Sequence, residues 1–216
     1  DFNVPIDSQG VVTDDTRIKM AIPTIKKIIN DGGSVVLMSH LGRPKDAASP
    51  EFSLKQIVGS LESLLERKII FISDCISDSS LETTKNLENR SVVLLENLRF
   101  YKEEKLGDKD FASKLANHGD VYVNDAFGTA HRAHASTSII ADYFPNDKMF
   151  GILIENEILS VDKVLNSNSH PLTAIVGGAK VSSKITIMSK LIDKVDHLII
   201  GGGMAYTFIK AQNGSI

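Results

Sequence analysis

Short apolar runs alternate with amphipathic stretches along the whole chain. The clearest runs are residues 35–38, 69–72, 92–95, 121–124, 173–176 and 198–200. Most are continuously apolar rather than alternating, which is the pattern of a parallel strand covered on both faces. Before the first run, Ile18, Ile22, Ile25 and Ile29 recur at helical spacing. This predicts a helix that Asp14 or Asp15 would cap and Gly32-Gly33 would end. Pro23 inside it predicts a kink or a late start. Leu54, Ile57, Val58, Leu61, Leu64 and Leu65 line a second helical face, and residues 110–118 and 182–194 a third and a fourth. Strands alternating with helices predict an α/β chain with a doubly wound, Rossmann-like parallel sheet. Such sheets bind ligands at the carboxyl ends of their strands, so chemistry is expected in the loops that follow the apolar runs.

The pattern changes near residues 156–170. Glu155-Asn156-Glu157-Ile158-Leu159 opens a helix, and Asn166-Ser167-Asn168-Ser169-His170-Pro171 reads as a polar linker. We therefore expect an α/β domain over residues 1–155, a connecting helix and linker over 156–171, and a second α/β element over 172–216. That last stretch is too short to be a complete domain. The 216 residues, 42% hydrophobic and 24% charged, suit one large domain or one and a half, and exclude a disordered or collagen-like chain.

A net charge of −3 is too mild to draw nucleic acid or an anionic membrane by bulk attraction. The single cysteine, Cys75, excludes an internal disulfide and a thiolate zinc site, and its simplest reading is a small buried side chain. No apolar run approaches the roughly 18–20 residues of a membrane span, and Asp1-Phe2-Asn3 does not open a signal peptide. A cytoplasmic location is the expectation. With no initiator Met, the chain is expected to begin inside a longer product.

Six of the 24 cationic residues are arginines, and three of them follow apolar runs. Arg43 lies in Ser39-His40-Leu41-Gly42-Arg43-Pro44, and Arg99 in Glu96-Asn97-Leu98-Arg99-Phe100. Arg132 lies in Asp125-Ala126-Phe127-Gly128-Thr129-Ala130-His131-Arg132. Each alone reads as a surface ion pair. If the three strands share one sheet, the arginines converge on a concave anion site, for which their rigid two-pronged donors are suited. Arg17, in the first turn of the first helix, joins them if that helix leads away from the same face. His40, His131 and His134 share these loops as anion contacts or loop-ordering groups. His131 and His134 have no carboxylate or thiol at ligand spacing, so no metal is expected there. Asp1 and Asn3 could meet a hydroxylated ligand, although by residue type alone a frayed terminus is the simpler reading.

The last segment carries its own signal. One run leads into Gly177-Gly178-Ala179-Lys180 and a helix bearing Lys184, and the next into Gly201-Gly202-Gly203-Met204. Glycines permit close backbone approach to a phosphate, and lysine adds charge. Neither stretch is G-x-x-x-x-G-K-[ST] or G-x-G-x-x-G, which disfavours a dinucleotide-dependent oxidoreductase. Either alone could be a tight turn; two in succession favour a nucleotide. Arginine loops in one half and glycine–lysine loops in the other suggest phosphoryl transfer.

These same residues resemble the phosphoglycerate kinase family. The resemblance is carried by Asp1-Phe2-Asn3-Val4-Pro5, by Ser39-His40-Leu41-Gly42-Arg43-Pro44 and by Leu95-Glu96-Asn97-Leu98-Arg99-Phe100. It continues in residues 124–134, in Gly177-Gly178-Ala179-Lys180-Val181 and in Ile200-Gly201-Gly202-Gly203-Met204-Ala205. It implies a hinge-bending glycolytic enzyme, usually monomeric, that moves a phosphoryl group from 1,3-bisphosphoglycerate to ADP, giving 3-phosphoglycerate and ATP. By that resemblance Asp1, Asn3, Arg17, His40, Arg43, Arg99 and Arg132 bind the phosphoglycerate. Arg17 and Lys180 stabilise the transferring group. Gly178, Lys180, Lys184, Gly202 and Gly203 hold the nucleotide, ATP or ADP with Mg2+. The family's magnesium-binding Asp, most of its nucleotide domain and the Arg it carries two residues before the opening Asp all lie outside these 216 residues. Asn156 stands where the family commonly has Lys. The chain therefore reads as a first domain plus a fragment of the second, able to bind phosphoglycerate but not to turn it over.

Overall fold

The isoleucine pattern near the start folds as predicted into α1 (Thr16–Asn30), burying Ile18, Ile22, Ile25 and Ile29. In this computed structural model, which describes residues 1–45, 48–166 and 170–215, the helix begins well before Pro23 and runs through it. The late start is therefore corrected. Asp15 holds the N-cap position without a side-chain capping bond, its carboxylate pairing with Lys19 instead, while Asp14 Oδ1 accepts from the Thr16 N–H at 2.9 Å.

The chain divides into two compact units, residues Asp1–Ile158 and Leu159–Ile216. In the first, α1 is followed by β1 (Val35–Leu37), α2 (Val58–Leu65), β2 (Ile70–Ile72), α3 (Asp78–Lys85) and β3 (Val92–Leu95). Then come α4 (Lys102–Leu106), α5 (Lys109–Ala116), β4 (Tyr122–Asn124), α6 (Phe127–Ala130) and β5 (Lys148–Phe150). Helix α7 (Ile152–Leu165) runs across the division.

Strands β1, β3 and β2 form a three-stranded parallel sheet in that order, with β3 in the centre. All four residues of β3 are buried, because it is covered on both faces. Val92 and Leu94 pack with Ile18, Ile22, Ile25, Leu61 and Leu65 of α1 and α2. Val93 and Leu95 pack on the other face with Phe111, Leu115, Tyr122 and Ile140. Alternate residues of one strand thus serve two cores, which is why the run reads as continuously apolar.

Two expectations need correction. The three strands that precede the arginine loops do not share one hydrogen-bonded sheet: β1 and β3 pair, but among the described residues β4 pairs only with β5, in parallel. The apolar pattern did not signal β5, because it is a three-residue strand, exposed throughout, in a polar context. Its partner choice depends on contacts distant in sequence.

The second unit holds β6 (Thr173–Gly177), α8 (Ile185–Ile192), β7 (His197–Gly201) and α9 (Gly203–Ala211), with β6 and β7 parallel over five residue pairs. Here double coverage was the wrong reading. Thr173, Ile175, His197 and Ile199 are exposed, while Ala174, Val176, Leu198 and Ile200 are half-buried. Among the described residues, helices cover one face only. Residues 167–169 of the expected polar linker lie outside the described residues.

Polar contacts join α7 to the rest of the first unit. The Thr24 hydroxyl donates to Asp125 Oδ2 at 2.5 Å and accepts from the Ile152 N–H at 2.9 Å. Asp125 Oδ1 accepts from the Ile154 N–H at 3.1 Å. A helix N-terminus leaves N–H groups without internal partners, and these side chains occupy two of them.

Candidate functional site

The site of the first unit is built on loops that leave the carboxyl ends of β1, β3 and β4. Asn97 is fully buried just past β3 and joins two of them. Its Nδ2 donates to the carbonyls of Leu41 at 2.7 Å and Phe52 at 2.8 Å, and its Oδ1 accepts from the Arg99 N–H at 3.0 Å. Beside it, buried Glu96 accepts from the Leu54 N–H, the Ser53 hydroxyl and the Asn97 N–H. The Arg99 guanidinium donates to the Gly42 carbonyl at 2.8 Å, so the β1 and β3 loops hold each other directly.

The chain start is ordered, which corrects the reading of a frayed terminus. Phe2 is 3% exposed, and its N–H donates to Ser39 Oγ at 2.8 Å. Asn3 Oδ1 accepts from the Gly42 N–H at 2.8 Å. The Asp1 carboxylate meets the Arg17 guanidinium at 2.5 Å and accepts from the Asn3 N–H. Arg17 is 53% exposed, so the pair adds little stability and chiefly orients the guanidinium.

The electrostatics show which cations sense one another. Burial first, then Arg99, the terminal amine, Arg17 and His134, hold His40 down at a pKa of about 3. His134 is likewise lowered by burial, then by Arg132 and Arg99. Its 3.8 Å contact with Glu104 is therefore not a formed ion pair at neutral pH. Arg99 is lowered by burial and then by Arg132, against an opposing pull from Glu104, with Arg43 contributing last. Among the described residues, Arg43, Arg99 and Arg132 form no salt bridge. The structure thus brings together Asp1, Asn3, Arg17, His40, Arg43, Arg99 and Arg132 around the carboxyl ends of β1, β3 and β4. His131 is exposed at the rim. Mutually repelling, unpaired cations of this kind are relieved by an anion.

Gly42 is where this arrangement most constrains a residue. Its φ is +61°, and an added Cβ would lie 2.5 Å from the Phe52 ring. We expect Gly42→Ala to cost about 2 kcal/mol and to weaken anion binding at the cluster. Thermal denaturation and a sulfate titration check this; an unchanged midpoint with unchanged binding would contradict it.

In the second unit the two glycine loops touch. The Met204 N–H donates to the Gly178 carbonyl at 2.9 Å. Gly202 has φ +68°, and a Cβ there would approach the Gly178 carbonyl oxygen to 3.0 Å. Lys184 sits at the N-cap position of α8, with Nζ 3.1 Å from where a Gly178 Cβ would stand. Gly203 opens α9, and Lys180 precedes the short 3-10 turn Val181–Ser183. Gly178, Lys184, Gly202 and Gly203 are thus neighbours, with Lys180 at the same loop.

Residue type alone missed the polar scaffold of buried Glu96, Asn97 and Thr24 and half-buried Asp125. Glu96, Asn97 and Asp125 each follow within two residues of a buried strand. A polar side chain at that place signals a loop anchor, and that signal was available.

These features place the chain among parallel α/β proteins that carry cationic and glycine-rich loops at the carboxyl ends of their strands. Within that class the family model for phosphoglycerate kinase matches residues 1–216. The phosphoglycerate kinase of Porphyromonas gingivalis is 50% identical over 240 aligned residues, covering 100% of this chain and 57% of the relative. That of Borrelia duttonii is 50% identical, covering 100% and 54%. The solved phosphoglycerate kinase of Coxiella burnetii superposes with a TM-score of 0.82 at 41% identity, covering 100% of this chain and 53% of its own. That of Pyrococcus horikoshii gives 0.85 at 30% identity, covering 99% and 54%. The chain belongs to the phosphoglycerate kinase family, and it spans about half the length of the curated relatives it matches.

Proposed function

We propose that the arginine cluster of the first unit binds the phosphoglycerate of a reversible phosphoryl transfer between 1,3-bisphosphoglycerate and ADP. The observation that carries this reading is the set of unpaired arginines, Arg43, Arg99 and Arg132, gathered with Arg17 and a neutral His40 at one set of strand ends. Asp1 and Asn3 would meet the substrate's hydroxyl and carboxyl groups. Gly178, Lys180, Lys184, Gly202 and Gly203 would hold the phosphates of ADP or ATP. On this reading residues 1–155 are the phosphoglycerate domain, 156–171 the connection and 172–216 the start of a nucleotide domain. The complete protein would be a monomeric, cytoplasmic glycolytic enzyme; among the described residues, no helix is long and apolar enough to cross a membrane.

The chemistry asks little beyond positioning and charge. The acyl-phosphate bond to the carboxyl oxygen breaks as an oxygen of the ADP β-phosphate takes the phosphoryl group. The departing carboxylate is ionised at neutral pH, so no general base is needed. Arg17 and Lys180 would neutralise charge spread over the transferring oxygens. Magnesium would neutralise nucleotide phosphates when bound. Among the described residues no group of three or more His, Cys, Asp or Glu is placed to hold a metal, and no step is assigned to it here.

Calorimetry with 3-phosphoglycerate tests the site on the chain itself. Binding without ATP turnover is expected, and absence of both heat and thermal shift would overturn it. The cluster also predicts proton uptake. Because burial and neighbouring cations hold His40 near 3, it is neutral at pH 7, and a bound phosphate raises its pKa. Proton uptake on binding should therefore grow as pH falls below the ordinary histidine value toward about 3. The heat of binding should also depend on the ionisation enthalpy of the buffer. Identical heats in phosphate-free buffers of contrasting ionisation enthalpy would contradict the linkage.

A further inference from the structure

The loop of residues 131–138 carries Arg132 and His134, and one buried side chain holds it in place. Glu104, in α4, is 4% exposed. Its Oε2 accepts from the Ser136 N–H at 3.0 Å and its Oε1 from the Ser136 hydroxyl at 2.6 Å. Its backbone carbonyl accepts from the Ala135 N–H at 2.9 Å. The Ser136 carbonyl accepts from the Tyr122 hydroxyl at 2.8 Å. All three polar groups of Ser136 are thus fixed between α4 and β4, and the loop is set from both sides.

A buried carboxylate is costly unless a cation compensates it. Among the described residues, this one has a single basic neighbour at ion-pair distance, His134, with Nδ1 3.8 Å from Oε1. Burial pushes the Glu104 pKa up, against the Ser136 bonds and Arg99. His134 is neutral in the free chain at pH 7, because burial and then its cationic neighbours hold its pKa down. The groups that face it are Glu104 and Lys105 of α4, Arg99 of the loop after β3, Arg132 and His131 of its own loop, and His40 of the loop after β1. All but Glu104 are basic. An anion among them cancels their repulsion, and Glu104 then becomes the charge that decides whether the imidazole takes a second proton. Nδ1 faces the carboxylate, while Nε2 forms no hydrogen bond among the described residues, so a proton there is free to be donated to an anion.

We propose that Glu104 is a positioning residue of the anion site. Through Ser136 it fixes the loop that brings Arg132 and His134 to Arg99, and its carboxylate is the countercharge of a doubly protonated His134 when a dianion is bound. The role rests on the reading of the arginine cluster as an anion site, of which phosphoglycerate is the proposed occupant. Glu104 itself touches no ligand. It acts on the anion only through the placement of the loop and the charge of one imidazole.

The test uses the 216-residue chain with two probes, sulfate and 3-phosphoglycerate. Sulfate stays a dianion throughout the histidine range, so a proton taken up on binding is the protein's. Imidazole NMR follows the His134 titration with and without saturating sulfate. Sulfate should raise its midpoint by about 1 pH unit or more. With sulfate bound, Glu104→Gln should lower that midpoint by about 1 pH unit. The glutamine still bonds Ser136 but carries no charge, so sulfate affinity should fall about fivefold near pH 6 and not fall near pH 8. Ser136→Ala keeps the charge and loses the shorter bond, and should cost about threefold at both pH values. The proposal is overturned if sulfate leaves the His134 midpoint of the unmodified chain unmoved, a result that needs no variant to fold. It is also overturned if Glu104→Gln weakens binding equally at both pH values, because the residue is then purely structural. If 3-phosphoglycerate binds without a shift at His134, the phosphoglycerate reading stands and this role falls. If sulfate binds with the shift and 3-phosphoglycerate does not bind, the role stands and the phosphoglycerate reading falls. If neither binds, both fall.

Discussion

If the proposed function holds, replacing Arg17 by alanine is expected to lower kcat about a thousandfold in a complete kinase carrying these residues, with a much smaller change in KM. The reasoning starts from its mounting. Arg17 sits in the first turn of α1, and Asp1 engages one of its terminal nitrogens at 2.5 Å. The rest of the guanidinium is exposed and close enough to His40 to lower its pKa. A cation oriented in this way, and bonded to little else, is available to charge that develops during transfer. Arg17→Lys should recover only part of the loss, because a point charge lacks the planar fork. Substrate binding should persist, since Arg43, Arg99 and Arg132 remain. Single-turnover kinetics separate these effects. Normal turnover by the alanine variant would remove Arg17 from the chemistry.

Asn97→Ala should be the most damaging single change to the first unit. It removes three hydrogen bonds from a fully buried position. The buried carbonyl of Leu41 and the part-buried carbonyl of Phe52 and N–H of Arg99 all lose their partner. The expected cost is about 3 kcal/mol, or roughly 6–12 °C in thermal midpoint for a unit of this size. The same change loosens the β1 loop against the β3 loop, leaving the Arg99–Gly42 bond to hold them, so affinity for 3-phosphoglycerate should fall by about tenfold or more. Asn97→Asp keeps the acceptor but loses both donors, and should recover little. A stable Asn97→Ala protein with full affinity would show that the loops are held by other contacts.

Acid sensitivity follows from the same cluster. His40 is neutral in the folded chain and charges more readily when unfolded, so the unfolded state binds more protons between about pH 6.5 and about 3. Its contribution to stability is full above the ordinary histidine range and is lost as pH falls. A chemical-denaturation series across that window should show stability declining, and His40→Gln should flatten part of the decline. His118 and His134, also lowered by burial, contribute in the same direction.

Much of the fold was legible because it is local. The isoleucine spacing of α1 and the all-apolar run of β3 report burial through periodicity alone, and six of the seven strands among the described residues coincide with apolar runs. The arginine cluster was legible because a strand followed by an arginine-bearing loop recurs three times. Strand β5 was not legible, since Lys148, Met149 and Phe150 make no apolar run and pair with β4 through contacts distant in sequence. The one-sided coverage of β6 and β7 was equally hidden, because Ile175 and Ile199 look like buried residues at any periodicity.

The sequence by itself determined the element types, the parallel α/β class, the charged and glycine-rich loops and the family. These follow from side-chain periodicity, backbone preference and motif spacing, all of which are local. Only the tertiary structure decided that Asp1 and Asn3 are ordered and that Asn97 binds two loops together. It alone showed that His40 is held neutral, and that β4 pairs with β5 rather than joining the sheet of β1, β3 and β2. Those outcomes depend on hydrogen bonds and desolvation between residues far apart in the chain, and no local pattern records which partners will meet.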